Sequence, residues 1–444
     1  MTRELTAWRL LWLTIVLVAG DAALLLRVPQ LPNFLAAAAG IASATLLIPL
    51  TLTEFPTLRS GAQRLTGLLS DEGWLTAGVF LVFLAFYAAC AGRLEASPYN
   101  AHVRQAYAFL HGHTYIDAPY YIEHAVWKGH SYQLHPPLPA ILLMPLVAIW
   151  GMGTNQTAFS ILMGALDVAL AWRLLGRFRL NMNARLWLTV FFGAGTILWY
   201  ESIIGSSWAV SMVVAVTFTL AALDEAFGEA RPLRLGILSG LAALSRYDLA
   251  FDWPIYVVLA WHRGRRVSEL KWMLGGYVLA TAIFVGLNEA RYQSLFDRGV
   301  FLFAPKGTVL FGLRYLPGNI YTLLFMAPKL TSHFPYIRPR FVGQSLVTTS
   351  PGFILALRPS FRRLMPCLMG VAALIAMTPS LFYFTNGFAQ FGTRHYLHAF
   401  PFLLVMMALG LRRRADQLTR ILVASSVVLI AYGVWCTATY GLAG

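Results

Sequence analysis

Residues 95–135 concentrate the groups that could do chemistry. Six of the ten histidines lie there, His102, His111, His113, His124, His130 and His135, together with Glu95, Arg104, Asp117, Glu123, Lys128 and six tyrosines. A carboxylate near imidazoles and cations can take up a proton and hold an anion. Apolar segments of membrane-spanning length lie before and after this stretch. Polar side chains gathered at one membrane face are costly unless water or a ligand meets them, so the working site is expected at this face.

Four segments and two acidic positions carry the candidate residues. In 99–112, Val103, Ala106, Tyr107 and Leu110 recur at helical spacing, with Asn100, Arg104 and His111 on another face and Gly112 placed to end the helix. That pattern predicts an amphipathic helix in the membrane interface; a plain surface anchor would read the same. In 129–139 the pair Pro136–Pro137 suits a helix start and holds His135 at its mouth, where an anion such as phosphate would be drawn, helped by Lys128. Around 245–252, Arg246 stands beside Asp248, which shares a helix face with Asp252 at a spacing of four. It would neutralise an acid or bind a lipid phosphate. In 390–401, Arg394 and His395 precede an apolar run, and Arg suits two-point phosphate recognition. Glu201 ends one apolar run beside Trp199 and Tyr200, and Glu289 with Arg291 ends another; both acids could face one cavity with His102. No HExxH, CxxC, Walker loop or GxGxxG is present, so no cofactor is expected; the histidine cluster would admit a divalent metal, but its spacing is weak evidence for one.

These groups must be positioned by a bilayer-embedded scaffold. The 444 residues are 58% hydrophobic and 12% charged, a balance that excludes a soluble domain. The runs are long and continuous, unlike the alternating strands of a membrane β-barrel. The net charge of +15 falls between the runs and not on an aromatic-interleaved basic face, so no nucleic acid is expected. Full-length spans are read at 8–27, 33–53, 73–94, 156–175, 185–204, 207–227, 271–288, 364–384 and 421–440. Shorter apolar pieces are read at 137–152, 235–246, 249–261, 317–328, 342–357 and 396–411. The first run lacks a small-residue cleavage site and reads as a retained span. Cys90, Cys367 and Cys436 read as small buried residues.

Seven basic clusters hold 21 of the 34 Lys and Arg residues: Arg3/Arg9, Arg59/Arg64, Arg173/Arg177/Arg179/Arg185, Arg231/Arg234, Arg263/Arg265/Arg266/Lys271, Arg358/Arg362/Arg363 and Arg412/Arg413/Arg414/Arg420. If all are cytoplasmic, the N-terminus is inside and 95–136 is an outer loop. Only one net crossing then separates residue 135 from Arg173. The piece 137–152 must dip and return or lie against the bundle. By the same logic 235–261 must be a hairpin of two half-helices broken at 245–248.

The order of these motifs resembles the GT-C superfamily of membrane glycosyltransferases, closest to family 39 and the RgtA/B/C/D-like domains. The likeness rests on an outer-loop helix ending Leu110-His-Gly112, a Gly-x-x-Tyr-x-x-His-Pro-Pro-Leu step at 129–138, Gly-Leu-Ala-Ala-Leu-Ser-Arg at 240–246, and Arg-His-Tyr-Leu-His-Ala-Phe-Pro at 394–401. It covers 73–411; residues 1–72 would be an added pair of spans and 412–444 a basic loop and last span. The resemblance implies an all-α polytopic bundle of roughly 11–13 helices with re-entrant half-helices, in a bacterial plasma membrane. It also implies inverting transfer of a sugar from a polyprenyl-phosphate donor to an extracytoplasmic acceptor, with an acid of the first outer loop as base. Where the family places that acid, near the start of the interfacial helix, this chain has Asn100. Glu95 and Asp117 therefore rank first as base and Glu123 behind them, with His135, Arg246 and Arg394 on the leaving phosphate. A non-enzymatic carrier of lipid-linked precursors and a catalytically inactive relative remain the alternatives.

Overall fold

The computed structural model describes residues 72–91, 94–117, 123–411 and 413–442. The spans expected at 8–27 and 33–53 and the clusters Arg3/Arg9 and Arg59/Arg64 lie outside the described residues. What is described is a helical multi-pass membrane protein. Its helices are α1 (Glu72–Cys90), α2 (Ala101–Leu110), α3 (Leu138–Trp150), α4 (Gln156–Leu175), α5 (Met182–Ala194), α6 (Leu198–Ile204), α7 (Ser207–Phe227), α8 (Pro232–Ser245), α9 (Trp253–His262), α10 (Val267–Tyr292), α11 (Gly299–Phe303), α12 (Leu316–Leu324), α13 (Leu346–Thr349), α14 (Leu364–Phe382), α15 (Phe400–Gly410) and α16 (Gln417–Tyr440). Two short antiparallel ribbons join them: β1 (His124–Trp127) with β2 (His130–Gln133), and β3 (Lys329–Leu330) with β4 (Ile337–Arg338).

Six helices, α1, α4, α7, α10, α14 and α16, are long and apolar enough to cross a bilayer, and α5 with α6 makes a seventh span bent by 45°. Each full-length span expected after residue 72 has its helix. The bend within 185–204 was not expected. Thr196 causes it: its hydroxyl donates to the Phe192 carbonyl at 2.7 Å and accepts the Leu198 N–H at 3.3 Å, ending one helix and starting the next. The centre of the bundle is α4 and α7, of which 72% and 83% of the spanning windows are buried. In α1 and α10 only 22% and 17% are. Leu81, Val82, Val278 and Leu279 on those outer helices stay exposed, as lipid-facing side chains do.

The basic clusters fix which helix ends share a face. Arg173 and Arg177 meet the Asp224 carboxylate at 2.8 and 2.7 Å, Arg231 meets Glu225 at 3.0 Å, and Arg358 meets Asp416 at 3.0 Å. Arg185 pairs with Glu72, and the Asn181 N–H donates to the Arg413 carbonyl at 2.8 Å. Arg263 and Arg265 donate to the carbonyls of Gly228 and Ala230 at 2.8 and 3.1 Å. All five described clusters thus lie on one face. The last contacts also show that the segment 232–262 enters and returns, as the charge pattern requires. Its turning point is Arg246 in an extended conformation, followed by a 3-10 turn over Tyr247–Asp252. The 3-10 geometry, with three residues per turn, takes Asp248 and Asp252 off the shared face that an α-helix would give them.

The opposite face carries α2, both ribbons and the α10–α13 connection. Here α3 lies along α2: His135 before it sits against His102, and Asn155 after it donates to the Leu94 carbonyl at 2.8 Å. Both ends of α3 therefore stay on this face, and 137–152 rests against the bundle without crossing. The β1–β2 turn is Lys128–Gly129, both at positive φ, a two-residue hairpin turn whose second position favours glycine.

Helices α8 and α10 approach backbone to backbone at Gly236, Gly240 and Gly276. A Cβ at Gly276 would stand 2.4 Å from the Ile237 nitrogen, whereas Gly275 beside it faces open space. Gly276→Ala should therefore cost ~1–3 kcal/mol by forcing the helices apart, while Gly275→Ala should be neutral or slightly stabilising. Thermal midpoints of the two detergent-solubilised variants measure the contrast; equal midpoints would contradict this packing.

Candidate functional site

Helix α2 is built differently from its sequence pattern. Tyr107 and Leu110 face outward, and the face turned to the protein carries His102, Val103, Gln105 and Ala106. The polar pair is buried because each member is satisfied. The His102 Nε2 lies 2.9 Å from the Ser207 carbonyl and 3.0 Å from the Ser211 hydroxyl, and its Nδ1 accepts from the Gln133 amide at 2.7 Å. That arrangement requires a neutral ring with its proton on Nε2. Gln105 accepts from the Arg291 guanidinium at 2.7 Å and donates to the Thr114 carbonyl at 3.2 Å. His102, expected in the cavity wall, ties α2 to α7 and β2. Asn100 caps no helical N–H and accepts from Arg104 at 3.0 Å, so these two expected cavity residues bind each other.

Beyond this floor, side chains from five separate segments converge. His135 Nε2 and Glu123 Oε2 are 3.7 Å apart, and the His135 ring lies 5.7 Å from that of His102. From the hairpin break, Arg246 meets Asp248 at 2.7 Å. From the 3-10 turn Arg394–Ala399, His398 stands 3.7 Å from Asp248 and 2.9 Å from the Ala376 carbonyl. Arg394 is buried, donates to the Phe388 carbonyl at 3.0 Å, and lies 5.2 Å from the Trp208 ring centre. It feels the charges of Glu201, Glu123 and Arg246. His395 lies within reach of Arg394, Arg246, His398 and His135, and Tyr383 within reach of Arg246 and Glu123.

Several of these atoms are buried without a hydrogen-bond partner: Glu123 Oε2, His135 Nε2, Arg246 Nε, both Glu201 carboxylate oxygens, Thr393 Oγ1 and His398 Nδ1. Native proteins leave few such atoms, and a group of them in one place marks room for water or a ligand. Two guanidiniums, a carboxylate and an imidazole in that room can bind a phosphate and accept a proton.

Next to the cluster, an apolar groove of about 790 Å³ runs between α8, α10 and α14. Leu244, Phe251, Ala280, Phe284, Ile375 and Phe382 line it, and Asp248 is the charged residue in its wall. A second cavity of about 660 Å³ opens on the basic face between α1 and α4, away from every residue just described.

Of the three acids read as base candidates, Glu95 and Asp117 are exposed, and Glu123 is half-buried against His135. Lys128 sits at the tip of the β1–β2 ribbon, donating to Gln293 at 2.6 Å, apart from the phosphate candidates with which it was grouped. His135, Arg246, Asp248, Glu201, Arg394 and His395 do come together. Sequence reasoning passed over His398, Tyr383, Trp208 and the Gln105–Arg291 pair. His398 lies three residues after His395, one turn of the 3-10 geometry, and that spacing was its signal. The others carry none, since each meets its partner across distant sequence. No family model, curated protein or solved structure matches the chain.

Burial holds the His102 pKa well below its ordinary value of 6.5, and nearby His135 adds to the effect. The folded ring therefore stays neutral where the unfolded one takes up a proton. The associated stability is intact above about pH 6.5 and is lost as pH falls below it. The thermal midpoint of the solubilised protein should drop from ~pH 7 to ~pH 5.5, and His102→Gln should flatten that slope while lowering the midpoint at neutral pH. An unchanged slope in the variant would remove His102 from this role.

Proposed function

We propose that the protein transfers a sugar from a polyprenyl-phosphate-linked donor to an acceptor hydroxyl at the outer face of a bacterial plasma membrane. The observation that carries this reading is the apolar groove with Asp248 in its wall, two residues from Arg246. A ligand with a long apolar chain and an anionic head fits a groove of that kind with the Arg246 guanidinium held beside it by Asp248. The gathering of five basic clusters on the opposite face supports an extracytoplasmic site, and the motif order supports a GT-C-type enzyme.

In this reading Glu123, not Glu95 or Asp117, is the base. It is the loop acid set against the cluster, and His135 beside it orients its carboxylate. Glu123 takes the acceptor hydroxyl proton as that oxygen attacks the anomeric carbon. The bond from the anomeric carbon to the phosphate oxygen breaks, and its electron pair leaves with the lipid phosphate. Arg394 and Arg246 face that growing charge, and cationic groups held in place are effective because they need not reorganise as it develops. Inversion follows from a single displacement. No metal or other cofactor enters this scheme.

Purified protein should move radiolabelled sugar from a polyprenyl-phosphate donor onto cell-envelope acceptors. Glu123→Gln should lower the rate by ~10²–10⁴-fold, while Glu95→Gln and Asp117→Asn should keep it. Arg394→Lys should weaken the donor's phosphate recognition and leave the fold intact. Donor lipid moved across proteoliposome membranes with no covalent product would favour a lipid-precursor carrier instead.

A further inference from the structure

The connection from residue 293 to residue 345 departs from the charge pattern of the other non-basic-face segments. It carries Arg298, Lys306, Arg314, Lys329, Arg338 and Arg340 against one acid, Asp297. Asp297 is turned inward: its carboxylate accepts the Gly299 N–H at 2.7 Å and meets the Tyr247 hydroxyl. Arg298, Lys306, Arg314 and Lys329 are exposed. Cations on the face away from the basic clusters run against the topological trend, so orientation does not account for them.

This cationic segment is built onto the site. Asn319 donates to the carbonyls of Leu381 and Tyr383, both at 2.8 Å, and the Phe341 ring packs edge-on against Phe388 at 4.5 Å, whose carbonyl receives Arg394. At the other end, Arg298 lies 5.7 Å from the centre of the Trp127 ring, and Lys128 lies 5.9 Å from it. Trp127 stands four residues from Glu123, and its indole N–H has no partner. An indole with two cations within 5.9 Å of its ring centre combines an apolar contact for a sugar with nearby positive charge.

We propose that the acceptor is an acidic glycan, a saccharide chain bearing carboxylate or phosphate groups, gripped by this cationic rim and by Trp127 on the strand that leads away from Glu123. The inference rests on the transferase reading for its purpose but is testable without turnover. Full-length protein in phosphatidylcholine nanodiscs would be titrated with an oligogalacturonate, a glycerol-phosphate oligomer, and the oligogalacturonate with its carboxyls reduced to alcohols. At least one acidic probe should bind tenfold or more tightly than the neutral one, with the preference fading as salt rises. The variant Arg298→Ser/Lys306→Ser/Arg314→Ser should lose that preference while keeping its thermal midpoint. Trp127→Ala should weaken acidic and neutral probes alike.

Equal binding of all three probes, or a triple variant that binds as the parent does, overturns the proposal. So does a triple variant that loses only its affinity for phosphatidylglycerol vesicles, which would make the rim a membrane contact. Because no donor is present, failure here leaves the transfer assay untouched. Failed transfer with intact acidic-glycan binding would instead sink the enzymatic reading alone.

Discussion

Charge removed from water must be met by opposite charge or by hydrogen bonds, and in this protein that requirement organises both faces of the bundle. On one face the answer is largely local: Asp224 takes two guanidiniums, Glu225 takes Arg231, and backbone carbonyls at 228–230 take Arg263 and Arg265. On the other it is incomplete. Glu201, Glu123, His135 and Arg246 keep buried atoms with no hydrogen-bond partner. The contrast separates a structural use of charge from one that leaves room for a ligand, since an unpaired buried polar atom costs stability that folding alone gives no reason to forgo.

That incomplete face exists because the backbone is interrupted where it would otherwise stay helical. The hairpin turns at Arg246, and the 3-10 turn after it leaves main-chain groups that only protein or a wet cavity can satisfy at such depth. Arg246–Asp248 and His398 hold the break. The close glycine contact of α8 with α10 keeps the half-helices upright against a full span. The groove beside them follows from the same geometry: two short helices leave an apolar slot that one straight span would fill.

Much of the scaffold was legible. A span of about twenty apolar residues has few alternatives to a helix, so each long run after residue 72 could be read directly, and the charge clusters required the return of 235–261 and kept 137–152 from crossing, by a dip or by a lateral course. The bend at Thr196 was hidden because it depends on one hydroxyl that both donates and accepts. The buried face of α2 was misread for a related reason. Periodicity puts Tyr107 and Leu110 on the inward face with Val103 and Ala106, but partners on α7, β2 and α10 bury His102 and Gln105 and turn Tyr107 and Leu110 outward.

The sequence by itself determined that the chain is a multi-pass membrane protein, roughly where its long spans lie, and which polar segments share a face, because these follow from hydropathy, proline and glycine placement, and the sign of flanking charge. Only the tertiary structure decided which polar side chains meet. Glu95, Asp117 and Glu123 are equivalent acids in a line of residues. The fold of the 123–135 hairpin sets Glu123 against His135, and the approach of a segment more than two hundred residues away puts it within the field of Arg394; such distances are properties of packing that no local pattern encodes.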